Sequence, residues 1–359
     1  MKILLTANDI TIGGGLERVV CNLANAFNEL GFNVEILSFY NSGGGGGCKF
    51  DLDSNIKLTF YEAKFNVHSK NFILKAFTKT IYRLFVAARL KALYKDKDFI
   101  IHNCYFYPLF KNKKTKYIKI KHSDFKNTYT YKDKIFDALV VISLKEMQLW
   151  QKKFNNVYYI PNFMPTLAKQ ETNTRTKTLL SIGRMSEDDI KGFARLIEIW
   201  SLLSGEKDFK EWKLVIVGEG EFKPKLEALI KQKGLSNCIL KPFTKNIKEE
   251  YLNASIYCLS SYKEGLPTVL LEACSFALPC VAFDILTGPS DIIVDGKSGF
   301  LILDGDLKTY ANKLKLLMSD ESLRKNFGQN ARQIVSEKFS KLKILEKWLE
   351  LFKLLQNKA

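Results

Sequence analysis

The 359-residue sequence lacks any run of about 18 apolar residues, so no segment reads as a transmembrane helix. The opening MKILLTANDI holds too short an apolar stretch to read as a signal peptide. Cysteine is odd in number and scattered, at Cys21, Cys48, Cys104, Cys238, Cys258, Cys274 and Cys280, with no CxxC spacing. That argues against a disulfide framework and a zinc site, and for reduced thiols in a cytoplasmic protein. RNP, KH and zinc-knuckle patterns are missing, so no nucleic-acid partner is expected. Two Asp-x-Asp pairs occur, Asp51/Asp53 and Asp96/Asp98. Neither follows a buried central strand; both read as solvated turns, and neither a metal ion nor a cofactor is expected. Acidic residues are in deficit: 38 Asp and Glu stand against 55 Lys and Arg, a formal charge of +17.

Hydrophobic residues at 46% and charged residues at 26% suit a globular chain, and the length suits roughly two domains. The basic excess points to an anionic partner: a nucleotide, a nucleic acid or a membrane surface. It is concentrated, since residues 64–121 carry 15 basic and 2 acidic side chains. Within that stretch, Asn71 to Lys95 reads as one long helix. Lys75, Lys79 and Arg83 recur every four residues, while Phe72, Ile73, Phe77, Ile81, Leu84, Phe85 and Ala88 supply an apolar surface. A basic amphipathic helix suits an anionic membrane surface; the alternative is a packing helix with a solvated basic face.

Short β-branched runs alternate with helical periodicity almost throughout, the α/β pattern. Strands are expected at Lys2–Thr6, Asn33–Phe39, Ile56–Tyr61, Phe99–Ile101, Tyr117–Lys121, Ala138–Ile142 and Val157–Ile160. A second series follows at Leu179–Ile182, Leu214–Val217, Ile239–Leu240, Ile256–Leu259, Cys280–Phe283 and Phe300–Ile302. Between the series, Pro161 to Thr176 is polar and reads as a linker. The expectation is two doubly wound domains facing a cleft, spanning residues 1–162 and 163–340, with a helix at about 341–358 packing back on the first. Ligands of such folds lie beyond the C-terminal ends of the strands. The five glycines Gly43–Gly47 read as a flexible loop.

Four segments follow strands and carry groups suited to an anionic ligand. Thr11-Ile12-Gly13-Gly14-Gly15-Leu16-Glu17-Arg18 joins the first strand to a helix. Its glycines allow close backbone approach, and a helix N-terminus offers N–H groups to an anion. The spacing is not GxGxxG, and the second strand does not end on an acid. Gly183-Arg184-Met185 and Lys191-Gly192 place two cations near a helix start, as a diphosphate clamp would need. Val217-Gly218-Glu219-Gly220-Glu221 is a second glycine turn. Last is Glu264-Gly265-Leu266-Pro267-Thr268-Val269-Leu270-Leu271-Glu272-Ala273, where Pro267 suits the first helical position. Glu264 then stands at the helix mouth and Glu272 further along the helix.

Together, EGLPTVLLEA, SIGRM…KG, VGEGE and the early GG-LER resemble the family 4 retaining glycosyltransferases of the GT-B fold, of the type that builds bacterial surface or lipid-linked glycans. The match runs from Gly14 to about Leu303 and is densest in the second half. Arg184 and Lys191 are seven residues apart here, against a commoner five. The resemblance implies that Arg184 and Lys191 neutralise the donor diphosphate, with Gly14, Gly15, Gly183 and Gly218 beside the donor. It implies that Glu264 binds donor-sugar hydroxyls and Glu272 the ribose. Main-chain amides of Gly265, Leu266 and Pro267 would approach the donor, and Thr268 and Val269 would lie beside the phosphates. His122 matches the histidine near the reacting sugar. The expected activity is transfer of a hexose from a nucleotide sugar, UDP-linked by family frequency, to a lipid-anchored glycan on the cytoplasmic face of the membrane. The rival readings are a nucleotide-sugar epimerase of the same architecture and a non-catalytic anion- or nucleic-acid-binding protein.

Overall fold

The computed structural model describes residues 1–44, 47–61 and 81–357. They form two compact units. The first comprises Met1–Ile142, Met147–Ile160 and Leu345–Ala359; the second comprises Ser143–Glu146 and Pro161–Ile344.

The first unit is built on a parallel sheet of β1 (Lys2–Ala7), β2 (Asn33–Ser38), β3 (Lys57–Phe60), β4 (Phe99–Asn103), β5 (Lys116–Lys121), β6 (Ala138–Val141) and β7 (Val157–Tyr159). Their spatial order is β3-β2-β1-β4-β5-β6-β7. Strands covered on both faces have no polar side to show, which is why β4 (FIIHN) and β6 (ALVV) are buried at every position. Helix α1 (Gly15–Glu29) buries Val20, Leu23, Ala24, Ala26 and Phe27. Gly31 follows it with φ +78, the left-handed conformation that ends a helix most easily as glycine. In the C-terminal helix Lys341–Asn357, Trp348 meets Phe27 edge-on at 5.7 Å, and Phe352 lies 4.2 Å from Phe99. Those aromatic contacts tie this helix to α1 and β4.

The second unit carries a parallel sheet of β8 (Thr178–Ile182), β9 (Lys213–Val217), β10 (Cys238–Lys241), β11 (Ile256–Leu259), β12 (Cys280–Asp284) and β13 (Gly299–Leu303), ordered β10-β9-β8-β11-β12-β13. Phe193, Trp200, Leu214, Phe283 and Tyr310 sit in its core. Each sheet reverses its strand order once near its middle, between β1 and β4 and between β8 and β11. That reversal opens a crevice beyond the strand ends, where ligands of open α/β sheets bind. The glycine loop after β1, and the loops carrying Gly183 to Lys191 and Ser260 to Pro267, lie at those points.

Two sequence readings change. Pro161 to Thr176 is not a free linker: Phe163 and Met164 are buried, and Thr172 Oγ1 donates to the Tyr251 carbonyl at 3.0 Å while its amide donates to Phe276 at 2.8 Å. Buried apolar and hydrogen-bonded groups hold this polar stretch to the second unit. Of the helix expected over Asn71 to Lys95, residues 71–80 lie outside the described residues, including Lys75 and Lys79; the described helix spans Arg83–Leu93. It buries Val86 and Ala87 and leaves Leu84, Phe85 and Leu93 exposed, with Ile81 exposed just before it. Among the described residues, no helix is long and apolar enough to cross a membrane.

Candidate functional site

In the second unit the chain brings Lys191 and Glu264 together from loops 73 residues apart. Lys191 Nζ donates to Glu264 Oε1 at 2.7 Å, and Ser261 Oγ donates to the same oxygen at 2.6 Å. The Glu264 side chain is 9% exposed and that of Lys191 23%, so the pair is largely shielded, with part of the Lys191 side chain open to solvent. Thr287 Oγ1 donates to the Glu264 carbonyl at 2.6 Å and fixes the backbone as well. The stem of Lys191 lies across Gly183: a Cβ there would stand 3.0 Å from Lys191 Cγ. Arg184 is not part of this cluster. It is exposed and pairs with Glu221 at 3.2 Å.

The longer loop between Arg184 and Lys191 has a structural use. Asp189 accepts from the amides of Phe193 at 2.9 Å and Ala194 at 3.0 Å, so it caps the helix Phe193–Ser201. Burial raises the Asp189 carboxyl above its usual range, and those amide bonds partly offset the rise. This helix start, expected to face a diphosphate, already gives two amides to a carboxylate. The helix Thr268–Ser275 is the other one at the site. Pro267 is its N-cap rather than its first helical residue, because its ψ of 105° is extended and its carbonyl accepts from Leu270. Thr268 and Val269 therefore sit where helix amides have no intrahelical acceptor.

Glycine is required where loops cross. A Cβ on Gly218 would stand 1.9 Å from the Gly183 carbonyl oxygen, and one on Gly192 would stand 2.0 Å from that of Ser260. These glycines let the strand-end loops pack backbone to backbone. Glu272 is buried, and Tyr251 OH donates to its Oε2 at 2.8 Å.

Sequence reasoning missed Arg195. This buried side chain donates from Nε to the Ser260 carbonyl and from Nη2 to the Ser261 carbonyl, both at 2.5 Å, and from Nη1 to Asp304 at 2.7 Å. Its guanidinium lies 3.8 Å from the Tyr262 ring centroid and 4.0 Å from that of Phe283. Such stacking, with carbonyls taking its donors, locks the segment that aims Ser261 at Glu264. A single Arg on a helix gives no local sign of this; Asn103 and Tyr251 were missed for the same reason.

In the first unit Gly14 caps α1 and Gly15 opens it. A Cβ on Gly14 would meet the Glu17 carboxylate at 2.4 Å, whereas one on Gly15 would meet nothing within 4 Å. Burial raises the Glu17 carboxyl, and Asp9 adds to the rise. His122 follows β5, half-buried, with Nε2 2.6 Å from Asn103 Oδ1. Burial, aided by Lys119, pulls the imidazole down to about 3 and keeps it neutral. Among the described residues, no group of three or more His, Cys, Asp or Glu side chains could hold a metal ion.

Residues 165–334 match the family model for glycosyl transferases group 1. An uncharacterized glycosyltransferase of Haemophilus influenzae is 29% identical over 95% of this chain and 96% of its own length. The lipopolysaccharide 1,6-galactosyltransferase of Salmonella typhimurium is 22% identical over 89% of this chain and 90% of its own. The crystal structure of a Staphylococcus aureus TarM variant in complex with fondaparinux, α-GlcNAc-glycerol and UDP superposes with a TM-score of 0.80 at 20% identity. It covers 98% of this chain and 99% of that one. That likeness shows the GT-B fold.

Proposed function

We propose, from the match of residues 165–334 to the group 1 glycosyl transferases and the full-length likeness to a glycosyltransferase of Haemophilus influenzae, that this chain is a glycosyltransferase that moves a hexose from a UDP-sugar, with retention, to a lipid-anchored bacterial surface glycan such as a lipooligosaccharide core or a lipid-linked oligosaccharide. The observation that carries the reading is the Lys191–Glu264 pair, held by Ser261 where the second sheet reverses its strand order. A cation and a carboxylate in contact can exchange partners when a donor enters. The diphosphate takes Lys191, and Glu264 is released to accept from sugar hydroxyls. Glu272, braced by Tyr251, is assigned the ribose. The galactosyltransferase relative and the UDP bound to the TarM variant support a UDP-hexose. No relative reported above is an epimerase, so that rival is not favoured.

Bond cleavage at the anomeric carbon leaves charge on the diphosphate. Lys191 and the amides of Thr268 and Val269 are assigned to stabilise it, in place of a metal ion, with the exposed Arg184 free to join them only by leaving Glu221. One such preorganised contact is worth about 3–4 kcal/mol, or about 10²–10³ in rate. The acceptor hydroxyl attacks on the face the leaving group vacates. Attack from that face keeps the configuration of the sugar, and the hydroxyl proton passes to the departing phosphate oxygen. The first unit is assigned the acceptor and the anionic leaflet, supported by its basic stretch and by the exposed Ile81, Leu84 and Phe85.

The test is transfer from UDP-glucose, UDP-galactose and their N-acetyl forms to extracted membrane glycolipid in EDTA, with the product anomer read by proton NMR. Retention, undiminished by EDTA, is expected. An inverted product, or epimerised nucleotide sugar formed without acceptor, would overturn the reading.

A further inference from the structure

We infer that Asn103 is a positioning residue that holds His122 as a neutral imidazole protonated on Nε2, so that Nδ1 is left as a hydrogen-bond acceptor suited to a hydroxyl. Its bearing on transfer rests on the expectation, drawn from the resemblance above, that His122 takes part in the reaction.

Asn103 ends β4 and is 4% exposed. Its Nδ2 lies 3.5 Å from the Ile101 carbonyl, a contact that suits only the nitrogen end of the amide. That orientation turns Oδ1 toward His122 at 2.6 Å. Two acceptors cannot share so short a contact, so Nε2 must carry the hydrogen. Burial and the Lys119 ammonium oppose a second proton. One proton on the ring, fixed on Nε2, leaves Nδ1 as an acceptor. A hydroxyl suits it, whereas a phosphate oxygen without a proton does not.

The charged and titratable groups on the neighbouring elements agree. From β4 comes His102, buried and also held neutral, and just after it Cys104, whose thiol burial raises. From β5 come Lys119, whose Nζ donates to the Cys104 carbonyl, and Lys121, paired with Asp133 at 2.5 Å. After β5, Asp124 takes the amide and side chain of Asn127. Among the described residues no carboxylate is in the His122 contact, so the neutral amide of Asn103 sets the tautomer without raising the imidazole. The local sequence shows this only as an Asn after His102.

The full chain has three histidines, so long-range 1H–15N correlation of the 15N-histidine-labelled protein resolves them, with His122→Gln for assignment. The expected result is an Nε2–H neutral pattern for His122 from pH 5 to pH 8. Asn103→Ala should give a tautomer mixture. Asn103→Asp puts a carboxylate beside Nε2 and raises the imidazole. It should therefore add an acid limb near neutral pH to kcat/KM, absent in the wild type and in Asn103→Ala. An Nδ1–H or charged His122 in the wild type at pH 6 would overturn the inference. So would an Asn103→Asp protein with the wild-type tautomer and pH profile. If the tautomers behave as stated but His122→Gln is fully active, the role of His122 in transfer falls while the hold of Asn103 on the ring is supported.

Discussion

Replacing Lys191 by Met keeps the stem that crosses Gly183 and deletes the ammonium. Glu264, 9% exposed, would then retain the Ser261 hydroxyl at 2.6 Å but no cation. Stranding one member of a fully buried ion pair costs about 3–5 kcal/mol. Lys191 is 23% exposed, so water compensates in part, and about 2–3 kcal/mol is the expected loss. For a unit of this size that is a fall in Tm of roughly 5–10 °C. In Lys191→Met/Glu264→Gln no charge is left stranded, and stability should return to within about 1 kcal/mol of the wild type. Turnover should not return: it falls about 10²–10³-fold in Lys191→Met and stays low in the double variant. Urea melts and donor-saturated rates on the four proteins complete the cycle. A double variant no more stable than Lys191→Met would refute the pairing, and an unchanged rate in Lys191→Met would refute its place at the diphosphate.

Three further outcomes follow from the packing. Gly218→Ala presses a Cβ to 1.9 Å from a backbone oxygen that belongs to the neighbouring loop, so calorimetry should show weaker UDP binding, and urea melts a loss of about 2–3 kcal/mol. Burial holds His102 and His122 down to about 3, so below pH 6.5 the unfolded chain binds protons that the folded chain refuses. Stability should therefore fall as pH drops from 6.5 toward 3, by up to about 1.4 kcal/mol per unit for each histidine, and His102→Phe should flatten the slope in urea melts at stepped pH. Leu84→Glu/Phe85→Glu should cut co-sedimentation with anionic vesicles and leave UDP binding intact; equal sedimentation of both proteins would remove these side chains from the membrane contact.

Much of the fold is legible in the sequence because parallel strands buried on both faces appear as unbroken apolar runs. Ile256–Leu259 is observed as expected, and Leu214–Val217 and Cys280–Phe283 differ from the observed strands by one residue. The candidate site is legible where residues act locally: a strand, a turn and a helix place Glu264 and Glu272 without reference to distant chain. It is not legible where partners come from afar. Nothing near Arg195 announces that it will clamp Ser260 and Ser261, and nothing near Asn103 announces His122. Asp189 reads as a surface acid in an acidic loop, yet its left-handed backbone, φ 45, turns it back to cap the helix that follows. Pro267 is the N-cap and not the first helical residue that the sequence suggests, because a proline at a helix start fits both positions in sequence and only ψ separates them.

The central claim is that the second unit holds a nucleotide sugar with Glu264 on the sugar and Glu272 on the ribose. Titration calorimetry of UDP and UDP-hexoses against the wild type, Glu264→Ala and Glu272→Ala tests it most directly. The account predicts that the wild type binds both ligands, that Glu264→Ala keeps UDP and loses the added affinity of the sugar, and that Glu272→Ala weakens both. Failure of the wild type to bind any nucleotide sugar, or an equal loss of UDP and UDP-hexose in Glu264→Ala, would contradict it.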